Sequence, residues 1–180
     1  MTEPIWLQVA RRDTGLLEMP GASSSPRILE MARAIGAPAW YHNDDQPWCA
    51  VAMNAWLLES ELPMALGTRG DAFDRLRALT FLGYGQPLSG PALGAIAVFS
   101  RPEGAHVGIY LGEHLVETAA NGKPARRMIR VFGGNQRNRV CELWLNADRL
   151  RGFRWPPRVT LPTLATVPLG FDGLVSVNEA

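Results

Sequence analysis

The amino-acid sequence predicts an α+β fold in which N-terminal helices pack on an antiparallel sheet of about five to six strands. Between Ile5 and Phe81, apolar residues recur at helical intervals and are punctuated by cap and stop signals. From Gly94 onward the chain turns to short β-branched and aromatic runs separated by turn dipeptides. Helices followed by a run of adjacent strands favour an antiparallel sheet. With 180 residues, 47% hydrophobic and 19% charged, the chain can close one core of ordinary size.

In chain order, Ile5, Trp6, Val9 and Leu16 predict a short first helix, and Met19-Pro20-Gly21 a turn. Ser25 is placed to cap a second helix that has Pro26 at its first position. Ile28, Leu29, Met31 and Ile35 carry it to a stop at Gly36 and Pro38. His42 to Pro47 reads as a polar loop. Cys49 to Glu59 lacks Gly and Pro and carries Val51, Met53, Trp56 and Leu57, so it is expected to be the central, mostly buried helix. A further helix is expected over Asp71 to Phe81, with Phe73, Leu76 and Leu79 on one side. Six strands follow: Gly94 to Ser100, His106 to Leu111, Leu115 to Thr118, Met128 to Phe132, Val140 to Leu145 and Gly152 to Trp155. Arg101-Pro102-Glu103-Gly104, Asn121-Gly122 and Gly133-Gly134 separate them. The domain is expected to span residues 1–156. A loosely ordered C-terminal tail is expected over 157–180.

Composition narrows the function. A formal net charge of +1 gives no electrostatic reason to expect a nucleic acid or anionic membrane partner. No apolar run reaches the length of a membrane span. Glu3, Gln8, Arg11 and Arg12 break any secretory signal, so synthesis in the cytoplasm without a signal peptide is expected. Two cysteines cannot form a disulfide framework or a four-ligand metal centre, and neither a metal nor an organic cofactor is expected.

Three features carry chemistry. Cys49 sits where a polar loop enters an apolar helix, where unpaired N–H groups and the helix dipole favour a thiolate and a lowered pKa. His106 opens an apolar strand after a Pro-Gly turn and is placed to act as general base. Gly133-Gly134-Asn135-Gln136 ends a neighbouring strand and offers an amide to orient the imidazole. Asn135 and Gln136 compete for that place, because successive strand residues point to opposite faces. Taken singly, such a cysteine is more often a small buried hydrophobe and such a histidine more often structural. Their arrangement is what points to catalysis. Trp48 is expected to wall the cleft, with Asp45 and Gln136 contacting substrate. Cys141 reads as buried and structural. His114 reads as an exposed turn residue, and Asp44 as a cap or a substrate contact.

The chain resembles the NlpC/P60–CHAP group of papain-like cell-wall amidases over about residues 5 to 156, closest to its small phage-type and effector-type members. The resemblance rests on motifs in the same order: Glu18-Met19-Pro20-Gly21 with Ser25-Pro26-Arg27-Ile28, then Asp45-Gln46-Pro47-Trp48-Cys49-Ala50 with Asn54 and Trp56. Gly94 to Phe99, His106 to Gly112, Gly133 to Gln136 with Asn138-Arg139-Val140, and Gly152 to Pro156 complete it. Ala95 and Ala105 depart from the family's usual acidic residue and glycine. The stretch Glu113 to Arg127 reads as longer than a minimal family hairpin, a loop shaping the substrate groove. The resemblance implies a papain-like NlpC/P60 fold with Cys49 as nucleophile, His106 as base and Asn135 as the orienting residue. It implies cleavage of an amide bond in the peptidoglycan stem peptide, by a phage lysin or an antibacterial effector acting in the periplasm or cell wall after lysis or delivery. An immunity or inhibitor protein would then be a partner. Two rivals stand beside it: an acyltransferase or transglutaminase-like enzyme with the same Cys–His pair, and a non-catalytic cell-wall binding module.

Overall fold

The computed structural model describes residues 2–21, 23–116 and 126–171. Three helices come first: α1 (Ile5–Arg11), α2 (Pro26–Ala34) and α3 (Cys49–Glu59). Pro26 takes the first position of α2 behind Ser25, whose backbone is extended (φ −62°, ψ 119°). Gly36 (φ 67°) supplies the left-handed residue beyond its end. Residues Cys49 to Leu57 of α3 are all buried, so this helix is enclosed by the other elements, and its buried Asn54 donates to Arg75 O at 2.9 Å and accepts from Ala65 N at 2.8 Å. Asp13 joins the helices: it accepts from Trp56 Nε1 at 2.9 Å and from Arg27 Nε at 3.0 Å. The Arg27 guanidinium is held charged first by its hydrogen bond to Asp13, against some desolvation, and then by Glu59.

Residues 71–81 do not form the single helix expected. They make two 3₁₀ turns, Asp74–Leu76 and Ala78–Gly83, because Arg77 adopts an extended backbone (φ −103°, ψ 122°) between them. Asp74 N bonds Asp71 Oδ1 at 2.8 Å, and Thr80 Oγ1 bonds Asp74 O at 2.7 Å, so local side chains take the backbone groups a helix would have used.

The sheet has six strands: β1 (Gln86–Leu88), β2 (Ile96–Arg101), β3 (Gly104–Val116), β4 (Arg126–Gly133), β5 (Cys141–Asn146) and β6 (Leu150–Trp155). Their order is β1-β6-β2-β3-β4-β5, and every pairing is antiparallel. The mixed α+β class and the antiparallel sheet are therefore as expected. Two details differ. β1 was not anticipated, being three residues with Pro87 at its centre. The expected strands from His106 and from Leu115 are one strand, continuous through a bulge between Tyr110 and Gly112. Glu113 to Val116 pair with Ile129 to Arg126 as ladder, so neither flank of the expected groove-shaping loop is loop; residues 117–125, including Asn121-Gly122-Lys123-Pro124, lie outside the described residues.

Helix α3 packs against α1, α2 and β3, and the Cys49 sulfur at its start faces the Val107 N–H of β3. Trp6 meets Trp155 edge-on at 4.8 Å and donates to Gly94 O at 2.8 Å, tying α1 to the sheet. Residues 157–171 are not loose. Glu113 N bonds Val167 O at 2.8 Å, Leu169 N bonds Glu113 O at 3.0 Å, and Phe171 stacks on His114 at 5.6 Å. The tail fills the space that the missing side chain of Gly112 leaves, where a Cβ would lie 2.6 Å from Leu169. Among the described residues no helix is long and apolar enough to cross a membrane.

Candidate active site

Cys49 is the first residue of α3, and Trp48, the cap position, makes no side-chain cap hydrogen bond. Cys49 is 3% exposed, and its sulfur faces the backbone N–H groups of Cys49, Ala50 and Val107. Val107 follows His106 on β3, so the sulfur contacts the backbone one residue from the imidazole. The helix start was expected to lower the thiol pKa. Burial is instead the largest influence and pushes it up, while the Val107 N–H, the Arg101 charge and the N–H groups of the first turn work against that shift. Burial therefore favours the neutral thiol over the thiolate.

His106 is fully buried, and its Nε2 lies 3.2 Å from Gln136 Oε1. Gln136 is held by three carbonyls: its Nε2 donates to Val131 O and Gly133 O, each at 3.3 Å, and to Cys141 O. With the amide nitrogen committed to acceptors, Oε1 must face the ring and His106 Nε2 must carry the proton. That leaves Nδ1 as the basic nitrogen of the neutral imidazole.

The amide against the ring is thus Gln136, and the contact expected of Asn135 is made by its neighbour. The reason lies in the backbone. Asn135 (φ 54°), Arg137 (φ 55°) and Asn138 (φ 59°) all take left-handed conformations, and Gln136 N closes the turn on Arg139 O at 2.9 Å. Asparagine tolerates that region better than most residues, so Asn135 shapes the turn that presents Gln136. That preference was the signal in the sequence that could have separated the two.

Two glycines let this turn approach the helix. A Cβ on Gly133 would lie 3.3 Å from both His106 Nε2 and Gln136 Cδ. A Cβ on Gly134 would come 2.7 Å from Trp48 and 2.8 Å from Ala52. The β4–β5 turn therefore touches the imidazole on one side and the start of α3 on the other, bringing Cys49, His106 and Gln136 to one end of α3.

Other expectations are corrected. Trp48 does not wall a cleft: it is fully buried against Gly134, with Nε1 3.0 Å from Glu18 Oε2. Gln136 is likewise fully buried and has its amide occupied, so it has no surface to offer a substrate. Asp45 is exposed on the loop, with its Oδ1 3.3 Å from Gln46 Nε2. Asp44 is 1% exposed and accepts from Met19 N at 3.0 Å and Ser25 N at 2.7 Å, tethering the loop before Cys49 to the start of α2. His114 lies within β3, its Nδ1 2.9 Å from Leu169 O, and not in a turn. Cys141 is half-buried, donates to Gln136 O at 3.3 Å and forms no disulfide. Among the described residues no group of three His, Cys, Asp or Glu side chains is placed to hold a metal.

Sequence reasoning passed over Tyr41. It is 7% exposed, and its hydroxyl is buried without a hydrogen-bond partner. Burial is the largest influence on that hydroxyl and pushes its pKa up.

The chain matches no protein-family model and no curated protein.

Proposed function

We propose that this protein is a cysteine amidase of the papain-like NlpC/P60 type that hydrolyses an amide bond in the peptidoglycan stem peptide. The observation that carries the reading is Gln136, which fixes the tautomer of a fully buried imidazole one residue from the backbone that touches the Cys49 sulfur. The ordered motifs set out above support the substrate class.

In this reading, His106 Nδ1 takes the thiol proton as Cys49 Sγ attacks the substrate carbonyl, forming the S–C bond and a tetrahedral oxyanion. N–H groups at the start of α3 stabilise that oxyanion. The imidazolium gives its proton to the leaving nitrogen, and the C–N bond breaks to leave a thioester. Water, deprotonated by His106, then attacks the thioester and releases the acid and the thiol. Because burial favours the neutral thiol at Cys49, general-base assistance is needed in the first step as well as the last.

The test is digestion of purified peptidoglycan followed by mass spectrometry. New free amine with a mass gain of one water is the expected result, absent from Cys49→Ala. Amine incorporation without water would assign acyl transfer instead. No product from any wall preparation would end the reading. We further propose action in the periplasm or cell wall after delivery or lysis, with toxicity on periplasmic and not on cytoplasmic expression as the check.

A further inference from the structure

Beyond the last turn of α3 the chain doubles back, with Leu62 N on Leu57 O at 2.9 Å, and residues 63–68 come to face the two 3₁₀ turns. Between them lies a cavity of about 470 Å³, with Pro157 also on its wall. That size falls within the roughly 300–1,000 Å³ of small-molecule sites. Its walls are fixed from two sides. Asn54 of α3 accepts from Ala65 N at 2.8 Å and donates to Arg75 O at 2.9 Å, gripping the segment and the first 3₁₀ turn together. The Tyr84 hydroxyl donates to Pro63 O at 2.7 Å and ties the end of the second turn to the same segment. No described wall residue belongs to the loop before Cys49, to β3 or to the β4–β5 turn, so the cavity is separate from the candidate active site.

Asp74 lines this cavity and is only 6% exposed. Its two carboxylate oxygens differ. Oδ2 accepts from Arg69 N at 3.2 Å and is pressed against Gly67, where a Cβ would overlap the carboxylate. Among the described residues, Oδ1 accepts no hydrogen bond and no cation pairs with Asp74. That oxygen is not sealed in protein either, so it opens on the cavity. Arg77, the other charged residue on the wall, has its guanidinium over the Phe73 ring at 5.7 Å. A carboxylate kept this far from water without a cation is unfavourable, and a bound cation offsets that cost. Leu66 and Leu79, on the same wall, are 47% and 39% exposed and give the cavity apolar surface open to water.

We propose that this cavity binds a primary alkylammonium, a compact cation on an apolar body. The ammonium pairs with Asp74 Oδ1, and the alkyl chain lies along Leu66 and Leu79. The chemistry selects against other cations. A guanidinium is held best by two oxygens at once, and Oδ2 is already occupied. A calcium or magnesium ion needs about six oxygen ligands or more. Among the described residues no group of three His, Cys, Asp or Glu side chains converges to supply them. The site stands independently of the amidase reading, since no step of that reaction touches its walls.

The experiment titrates the 180-residue chain with n-butylammonium, n-butylguanidinium and butan-1-ol, read by calorimetry and by backbone amide NMR shifts. Shifts centred on residues 63–68 and 78–85 are expected, with butylammonium binding about tenfold tighter than the alcohol and about threefold tighter than the guanidinium. Asp74→Asn keeps an acceptor for Arg69 N and is expected to weaken butylammonium about tenfold while leaving the alcohol within about twofold. Leu66→Ala and Leu79→Ala, both at exposed positions, are expected to weaken ammonium and alcohol alike by about threefold without lowering the melting temperature. Arg77→Gln removes a like charge from the wall and is expected to tighten butylammonium about twofold. These three variants and the comparison of probes on wild-type protein keep the test open should Asp74→Asn fail to fold. Equal affinity for ammonium and alcohol, preference for the guanidinium, or an affinity unmoved in folded Asp74→Asn would overturn the assignment. Shifts centred on Cys49 and His106 would place the amine in the candidate active site and overturn it as well.

Discussion

Strand β3 carries two histidines eight positions apart, and they live in different chemical worlds. His106 is fully buried and bonds through Nε2 to a side-chain amide that is itself pinned by three carbonyls. His114 is half-buried and bonds through Nδ1 to the backbone of Leu169, with its ring sandwiched near Phe171 and Trp144. One ring nitrogen is fixed in each case. At position 106 the ring belongs to the same end of α3 as a cysteine, whereas at 114 it belongs to the docking of the C-terminal segment. A histidine's residue type and its place on a strand leave its role open; the element packed over it decides.

That contrast can be broken most severely at Cys49 and His106. Cys49→Ala and His106→Ala should each lower kcat by about 10³-fold or more in the peptidoglycan assay, while His114→Ala should stay within about twofold. If His114→Ala proved equally inactive in a folded protein, the two rings would have exchanged roles.

The next largest effect is expected at Gln136. Gln136→Ala should reduce kcat about 10²-fold and, by stranding three carbonyls, also destabilise the fold by about 1–3 kcal/mol. Gln136→Glu strands the same three carbonyls and should lose at least as much stability, but it keeps an acceptor at His106 Nε2, so its pH profile reads the effect on the ring. A carboxylate beside Nε2 stabilises the imidazolium, so His106 stays protonated to higher pH and the acid limb of kcat/KM moves upward. An unmoved acid limb would make Gln136 a purely structural prop.

A smaller change follows at Asn135. Asn135→Ala should cost about 1 kcal/mol in denaturant melts, because alanine is strained at a φ of 54°, and Asn135→Gly should recover it. Neither should approach the kcat loss of Gln136→Ala. The slightest effect is in alkali. The folded-state pKa of Cys49 is raised, so its contribution is fully present below the ordinary thiol range of about 8.5 and is lost as pH climbs through the higher folded value. Cys49→Ala should therefore flatten the fall in stability between pH 8 and 10. Cys141, raised in the same sense, remains in both proteins as an internal reference.

How far this was legible in the sequence varied with how local the cause was. The bounds of α3 were readable because Cys49 to Glu59 has neither Gly nor Pro, and Pro26 behind Ser25 marked α2 unambiguously. The break at Arg77 was not, because it is made by side chains of Asp71 and Thr80 competing for backbone groups. β1 escaped because three residues with a central proline carry no alternation to read. The bulge at Gly112 hid the continuity of β3. In the site, Cys49 and His106 stood out by their flanks. The choice between Asn135 and Gln136 turned on three left-handed residues, which rotate side chains in ways that strand alternation does not describe. Tyr41 was invisible because its distinguishing property, a hydroxyl without an acceptor, exists only once the chain is folded.

The outer strand β1 is worth following one step further. Its middle residue is Pro87, whose nitrogen bears no hydrogen, and its partner on the inner side is β6. A neighbouring molecule that tried to extend the sheet at this margin would find a template only three residues long with a donor missing at its centre. Brevity and an imino acid together discourage fibre growth from that side, and they do so without calling on any charged gatekeeper.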